Sequence, residues 1–204
     1  MNIIVYEDNK VENLKPFSIN HASFETRCGM YTNLDRIINL YGDNYQYILM
    51  VRSQIESIIR FRYPNITVNP EVLPSGKFIN GRFVLKNKVN LDVFPDNPSD
   101  SHISHEDVQS LEYIWDCILY SKEIFKLDFI NKFNSKDIYK SSNCIIKEGV
   151  ILDPSNGPIL IGNHVTIDIG ALLQGPLYID NHSYISPGAK IRPGTMIGEN
   201  CKVG

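Results

Sequence analysis

Paired cysteine spacing is missing from this sequence: Cys28, Cys117, Cys144 and Cys201 stand far apart, so neither a zinc site nor a disulfide framework can be read from it. An excess of either charge is missing too. Twenty Lys+Arg stand against 23 Asp+Glu, and the formal charge of -3 gives no electrostatic ground for nucleic acid or an anionic membrane as partner. Long apolar runs are also lacking. Ile3-Ile4-Val5 leads straight into Glu7 and Asp8, unlike the charged start and long apolar stretch of a signal peptide, and no run approaches a membrane span. The expected location is therefore the cytoplasm. An apolar fraction of 43% over 204 residues is enough for one large domain or two small ones.

What the chain does have is a period of six. Every sixth residue from Ile161 is aliphatic: Ile161, Ile167, Leu173, Ile179, Ile185, Ile191, Ile197 and Val203. Four positions after each stand Val165, Ala171, Leu177, Ser183, Ala189, Thr195 and Cys201, mostly small, with Leu177 the bulky departure. Neither the helix nor the strand period explains this spacing. It is the hexapeptide signature of a left-handed parallel β-helix, in which three units close a coil of about 18 residues and the aliphatics stack inward. Ile145 to Gly149 and Ile151 to Ser155 read as irregular opening units, separated from the regular run by an insertion around Pro154 to Pro158. Val203-Gly204 begins a hexad that nothing caps, so the coil is expected to be truncated or covered.

Ahead of the solenoid the pattern is α/β with a mostly parallel sheet. Asn2 to Tyr6, Tyr45 to Val51, Ile66 to Val68 and Lys77 to Leu85 read as strands, and Met30, Leu34, Ile37, Ile38 and Tyr41 fall at helical spacing. Ser53 and Glu56 read as a capping box for a helix to about Arg62. Asp92 to His102 reads as a loop, and Ser104 with Asp107 as the opening of a long helix through Val108, Leu111, Ile114, Trp115, Ile118, Leu119, Phe125 and Phe129. The periodicity breaks near residues 134 to 143. The expected domains are 1–140 and 141–204.

The stretch Leu14-Lys-Pro-Phe-Ser-Ile-Asn-His-Ala-Ser-Phe-Glu-Thr-Arg-Cys-Gly29 lies between the first strand and the first helix, where α/β folds bind ligands. It resembles the Leu-x-Pro-(Leu/Phe)-(Thr/Ser) and Glu-x-Arg-x-Gly pattern of a bacterial family of sugar nucleotidyltransferase-like domains fused to a β-helix. Ile79-Asn-Gly-Arg82 and Trp115-Asp116 resemble that family's later motifs. More distantly the chain resembles N-acetylglucosamine-1-phosphate uridylyltransferase and glucose-1-phosphate thymidylyltransferases. The resemblance implies a reduced nucleotidyltransferase-like domain taking a nucleoside triphosphate and a sugar 1-phosphate, with Mg²⁺ held by a carboxylate. It also implies a homotrimer. Three departures stand out: Val5 to Asn13 has no glycine where full enzymes carry a Gly-rich loop, Asn80-Gly81-Arg82 replaces a metal-binding Asp, and His21-Ala22 replaces Arg-Pro.

Arg27 and Arg82 are the expected phosphate clamp, since guanidinium groups suit phosphates. Arg27 has an alternative role as an ion pair with Glu25, and Arg82 as a surface arginine pairing with Asp92 or Asp96. Glu7, Asp8, Ser18, His21, Glu25, Gly29, Asn80 and Gly81 complete the expected substrate site; Glu7 and Asp8 could reach a metal or ribose hydroxyls, and otherwise read as solvated loop carboxylates. In the solenoid, His164 and His182 should stack on adjacent coils. There they are either turn residues or the general base of an acyltransferase using acetyl-CoA. The remaining alternative is a non-catalytic nucleotide-sugar-binding scaffold with a degenerate transferase site.

Overall fold

Ile3, Ile4 and Val5 have no exposed surface at all, the burial expected of a strand covered on both faces of a parallel sheet. They lie in β1 (Asn2–Tyr6) of a computed structural model that describes residues 1–98, 103–130 and 137–204. After β1 come a hairpin of β2 (Arg27–Cys28) and β3 (Tyr31–Thr32), then α1 (Asn33–Tyr41), β4 (Gln46–Met50), α2 (Glu56–Arg62), β5 (Thr67–Val68) and β6 (Gly76–Asn80). Strands β5-β4-β1-β6 form one sheet, parallel throughout. From β1 the chain moves to β4 and β5 on one side and returns to β6 on the other, so the order reverses between β1 and β6. Crevices at such reversals are where open α/β sheets bind ligands.

Helix α1 is capped by Thr32, whose hydroxyl accepts from the Asp35 amide at 3.1 Å, and it stops at Gly42, where φ is +77°. Its buried Leu34, Ile37 and Tyr41 belong to the same core as Ile3, Val5, Leu49 and Ile79. Three expectations need correction. Lys77 to Leu85 is two strands: β6 ends at Asn80, and β7 (Phe83–Leu85) pairs antiparallel with β8 (Val108–Ser110) in a separate sheet. The break falls at Gly81, where a Cβ would lie 2.4 Å from the Ser23 hydroxyl oxygen, too close for any side chain. The helix expected to open at Ser104 begins only at Asp116, as α3 (Asp116–Ile130). Val108 and Leu111 satisfy both a helix and a short strand, and pairing with β7 decides for the strand. Ser53 caps nothing: a 3-10 turn over Ser53–Ile55 precedes α2, and Glu56 instead binds Arg60 and Asn69. The loop expected from Asp92 and the break near 134 fall partly on residues 99–102 and 131–136, outside the described residues.

The chain divides into compact units Met1–Ile124 and Phe125–Gly204. The second contains a left-handed parallel β-helix with three sheet faces. One face holds β9 (Ile138–Lys140) beside β12 (Ile159–Ile161), β15 (Leu177–Ile179) and β18 (Thr195–Ile197). The other two run through β10 (Ile145–Ile146), β13 (Thr166–Ile167), β16 (Tyr184–Ile185) and β19 (Lys202–Val203), and through β11 (Ile151–Asp153), β14 (Leu172–Gln174) and β17 (Lys190–Ile191). Thr166 pairs with Tyr184, 18 positions on, whereas Ile145 pairs with Thr166, 21 positions on. The opening coil thus carries three extra residues, between Leu152 and Ile161. The aliphatic series from Ile161 to Ile197 points inward and is at most 7% exposed, with Val203 half-buried at the open end. Leu177, the bulky departure, is also fully buried.

Asp168, 7% exposed, receives hydrogen bonds from the Tyr184 hydroxyl and the Ile169 amide, and Lys147 pairs with it at 3.0 Å. The Tyr184 bond, then the Ile169 and Lys147 contacts, hold the Asp168 carboxyl down at about 2. A lowered folded-state pKa means that this contribution is complete above the ordinary value of 3.8 and disappears as pH falls toward 2. The expected result is that Asp168→Asn lowers the melting temperature at pH 7 and that its gap from the parent closes between pH 4 and pH 2. A gap that stays constant across those melts would show that the carboxylate contributes nothing.

Candidate functional site

Two carboxylates leave the carboxyl end of β1 and meet two arginines. Glu7 is 4% exposed at its side chain; its Oε1 accepts from the Ser23 amide at 2.9 Å and from Arg52 Nη1 at 2.6 Å, and its Oε2 from the Arg52 amide at 3.2 Å. Arg52 follows β4, and its Nη2 donates to the carbonyls of Ser18 and His21. One guanidinium thereby ties the 14–29 stretch to the sheet edge. Asp8 receives Arg82 in a bidentate pair, Nε to Oδ1 at 2.9 Å and Nη2 to Oδ2 at 2.5 Å, with further donors from Asn80 Nδ2 at 2.8 Å and the Lys10 amide at 3.1 Å. Burial alone would raise the Asp8 carboxyl, but the bond and charge of Arg82, with Asn80 and Lys10, outweigh it and hold it below 3.8.

Arg82 is buried, and its Nη1 donates to the Leu111 carbonyl at 2.5 Å and to Ser110 Oγ at 3.2 Å. Every nitrogen of this 4%-exposed guanidinium already has an acceptor, Nη1 also Glu112, so a phosphate would have to compete with those partners. Neither Asp92 nor Asp96 is its partner; Asp96 pairs with Lys77. Arg27 lies on β2 and donates to the Met30 carbonyl at 2.5 Å across the turn that Gly29 makes at φ +78°. Glu25 pairs with Arg62 at 2.9 Å and accepts from the Ala22 amide. The His21 ring stacks on Phe17 with centroids 4.5 Å apart, and its Nδ1 lies 2.8 Å from Asn20 Oδ1.

The structure therefore brings Glu7, Asp8, Ser18, His21, Asn80, Gly81 and Arg82 to one edge of the sheet, whereas Arg27 donates to the Met30 carbonyl and Glu25 pairs with Arg62. A groove of about 1000 Å³ opens over the ends of β1 and β4, lined among others by Glu7, Asp8, Glu12, Val51, Arg52 and Gln54. Arg52 is the member sequence reasoning passed over. Its signal was position: it follows β4 as Glu7 and Asp8 follow β1. As placed, the site does not fit Mg²⁺. Both oxygens of Glu7 and of Asp8 are taken by nitrogen donors.

In the solenoid, His164 and His182 stack with centroids 5.0 Å apart and planes 14° from parallel, each at a left-handed turn position, φ +54° and +58°. Both rings are exposed. Asn163 and Asn181 beside them form a ladder, the Asn163 amide donating to Asn181 Oδ1 at 2.7 Å. No helix among the described residues is long and apolar enough to cross a membrane.

A stretch of 65 residues, 32% of the chain, is 42% identical to a protein of Escherichia coli (strain 536) named as an uncharacterized acetyltransferase, YaiX. The match spans only 28% of that relative's length. Residues 3–134 match the profile of a family described as sugar nucleotidyl transferase, and this covers the parallel sheet, the carboxyl-edge groove and both arginine–carboxylate pairs. With well over half of its length in that match, the chain belongs to the sugar nucleotidyl transferase family.

Proposed function

We propose that the groove over β1 and β4 takes a nucleoside triphosphate and a sugar 1-phosphate, and that the chain transfers the nucleotidyl group between them. The observation that carries this reading is the groove's position at the carboxyl edge of a parallel sheet, in a chain of this family. In that reaction a sugar phosphate oxygen attacks the α-phosphorus, the bond to the β-phosphate breaks, and pyrophosphate leaves. Such chemistry is mainly positioning and charge neutralisation. Arg52 is the cation that lines the groove itself, and the Arg82–Asp8 pair with Asn80 fixes the neighbouring strand end. Glu7 and Asp8 are committed to arginines, so the charge that meets the phosphates in this reading is that of Arg52.

Calorimetric titration of uridine and deoxythymidine triphosphates and their nucleotide sugars, with a pyrophosphate-release assay on sugar 1-phosphates, tests the reading. Saturable binding with turnover is expected. Loss of a phosphate contact in Arg27→Ala would weaken binding roughly ten- to hundredfold, about 1.5 to 3 kcal/mol; parental binding by that variant would remove Arg27 from the site. Binding without turnover would favour the non-catalytic scaffold, and absence of both would end the groove reading.

The stacked histidines favour a second reading, acyl transfer from acetyl-CoA with one imidazole as general base. The name of the Escherichia coli relative supports it. Release of coenzyme A thiol that His164→Ala or His182→Ala abolishes would establish this activity; release unaffected by both would exclude the pair.

A further inference from the structure

Resting on the groove reading, we propose that Arg52 is the anion-binding group of the groove and the latch of the loop from Pro16 to Glu25, so that an oligophosphate entering the groove takes the guanidinium and loosens the loop. Arg52 is shared between two sets of partners. Its side chain lines the groove, and the same guanidinium holds Glu7 and the carbonyls of Ser18 and His21. Its side chain is 19% exposed, against 4% for that of Arg82, so an entering phosphate can reach it without unfolding a strand end. A phosphate is a stronger partner for Nη2 than the Ser18 and His21 carbonyls it holds, because both groups are charged, and Nη1 keeps Glu7 so that no buried carboxylate is left unpaired.

The closed loop leaves polar groups unmatched. The side-chain oxygens of Ser18, Ser23 and Thr26 have no hydrogen-bond partner among the described residues, though these residues are at most 4% exposed; nor does Asn33 Oδ1, at the start of α1. Buried hydroxyls without partners destabilise the closed arrangement relative to one in which they meet a ligand or water. Ser23 sits at the centre: its amide is bound by Glu7, and its hydroxyl lies against Gly81, at the sheet's reversal point. The loop is fixed mainly through the Glu7–Arg52 pair, with Glu25–Arg62 as a second tie at its far end. Releasing Arg52 would undo two carbonyl contacts together and leave the Ser23 hydroxyl near the substrate phosphates.

Hydrogen exchange of peptides covering residues 15–26, with inorganic tripolyphosphate as probe, tests this alongside calorimetry. In the parent, saturating probe should raise exchange at the Ala22 and Ser23 amides several-fold. Arg52→Gln should show that faster exchange without probe, no further response to it, and probe affinity at least tenfold weaker. Glu7→Gln, which frees Arg52 from its carboxylate, should bind the probe several-fold more tightly and covers the case in which Arg52→Gln fails to fold. Probe binding with unchanged or slower exchange in the loop, or parental affinity in Arg52→Gln, would overturn the proposal. If the parent binds no probe, the groove reading falls first. The latch is then judged on exchange without probe, and an unaltered loop in Arg52→Gln, or in Glu7→Gln should that variant alone fold, overturns it too.

Discussion

Ile185→Asp should abolish cooperative unfolding of the β-helix. Ile185 has no exposed surface and lies in register between Ile167 on one side and Val203 on the other, inside a stack made only of aliphatic side chains. Removing the isoleucine forfeits about 1.5–3 kcal/mol of apolar burial. Placing a carboxylate there adds several kcal/mol more, because no donor is within reach to compensate the lost water. The sum exceeds the usual range for single substitutions. Lys190→Asp is the control: Lys190 is exposed and points outward beside inward Ile191 on β17, so its replacement should change stability by less than about 0.5 kcal/mol. Thermal melts followed by circular dichroism compare the two. Parental melting of Ile185→Asp would mean that the inward stack does not hold the coil together.

The second large effect is expected at Asp8. Asp8→Ala leaves the Arg82 guanidinium, 4% exposed, without its bidentate partner and leaves Asn80 Nδ2 without its acceptor. Breaking a buried pair from one side costs about 3–5 kcal/mol, since the surviving charge stays buried. The melting temperature of the N-terminal unit should drop by more than about 10 °C. Asp8→Asn combined with Arg82→Met should recover much of that loss, as exchanging both charges for neutral groups is far less costly than orphaning one. Equal melting of the parent and Asp8→Ala, or a double variant no better than the single one, would show the pair to be marginal. The same contacts hold the Asp8 carboxyl low, so its contribution is intact above pH 3.8 and lost on acidification below it.

Elements whose signal is local were legible in the sequence. The six-residue period marks the solenoid because every inward position repeats the same packing problem, and Ile167, Leu173, Ile179 and Ile185 solve it alike. Strand β9 carries no such signal, because Lys140 occupies the register position of Ile161 and the period is broken where the coil begins. Val108 to Ser110 fit a helix pattern as well as a strand, because three residues cannot distinguish the two periods. Their strand character comes from β7, more than twenty residues earlier in the chain.

At the candidate site the sequence placed Glu7-Asp8 and Asn80-Gly81-Arg82, each following a strand, at one edge of the sheet with the Leu14 to Gly29 stretch, and the structure has them there. It could not say which arginine meets which acid. Arg82 finds Asp8 across 74 positions and Arg52 finds Glu7 across 45. Local pattern decides what a residue prefers to be, helix, strand or inward hexad position, because those preferences are satisfied within a few neighbours. Charge pairing is decided by which side chains arrive together at low dielectric, and only the folded sheet brings β1, β4 and β6 side by side. The sequence by itself thus determined the β-helix, the parallel sheet and which strand ends share its carboxyl edge. The tertiary structure alone decided that Arg82 is committed to Asp8, that Arg52 lines the groove, and that the same guanidinium holds Glu7 and the Ser18 and His21 carbonyls.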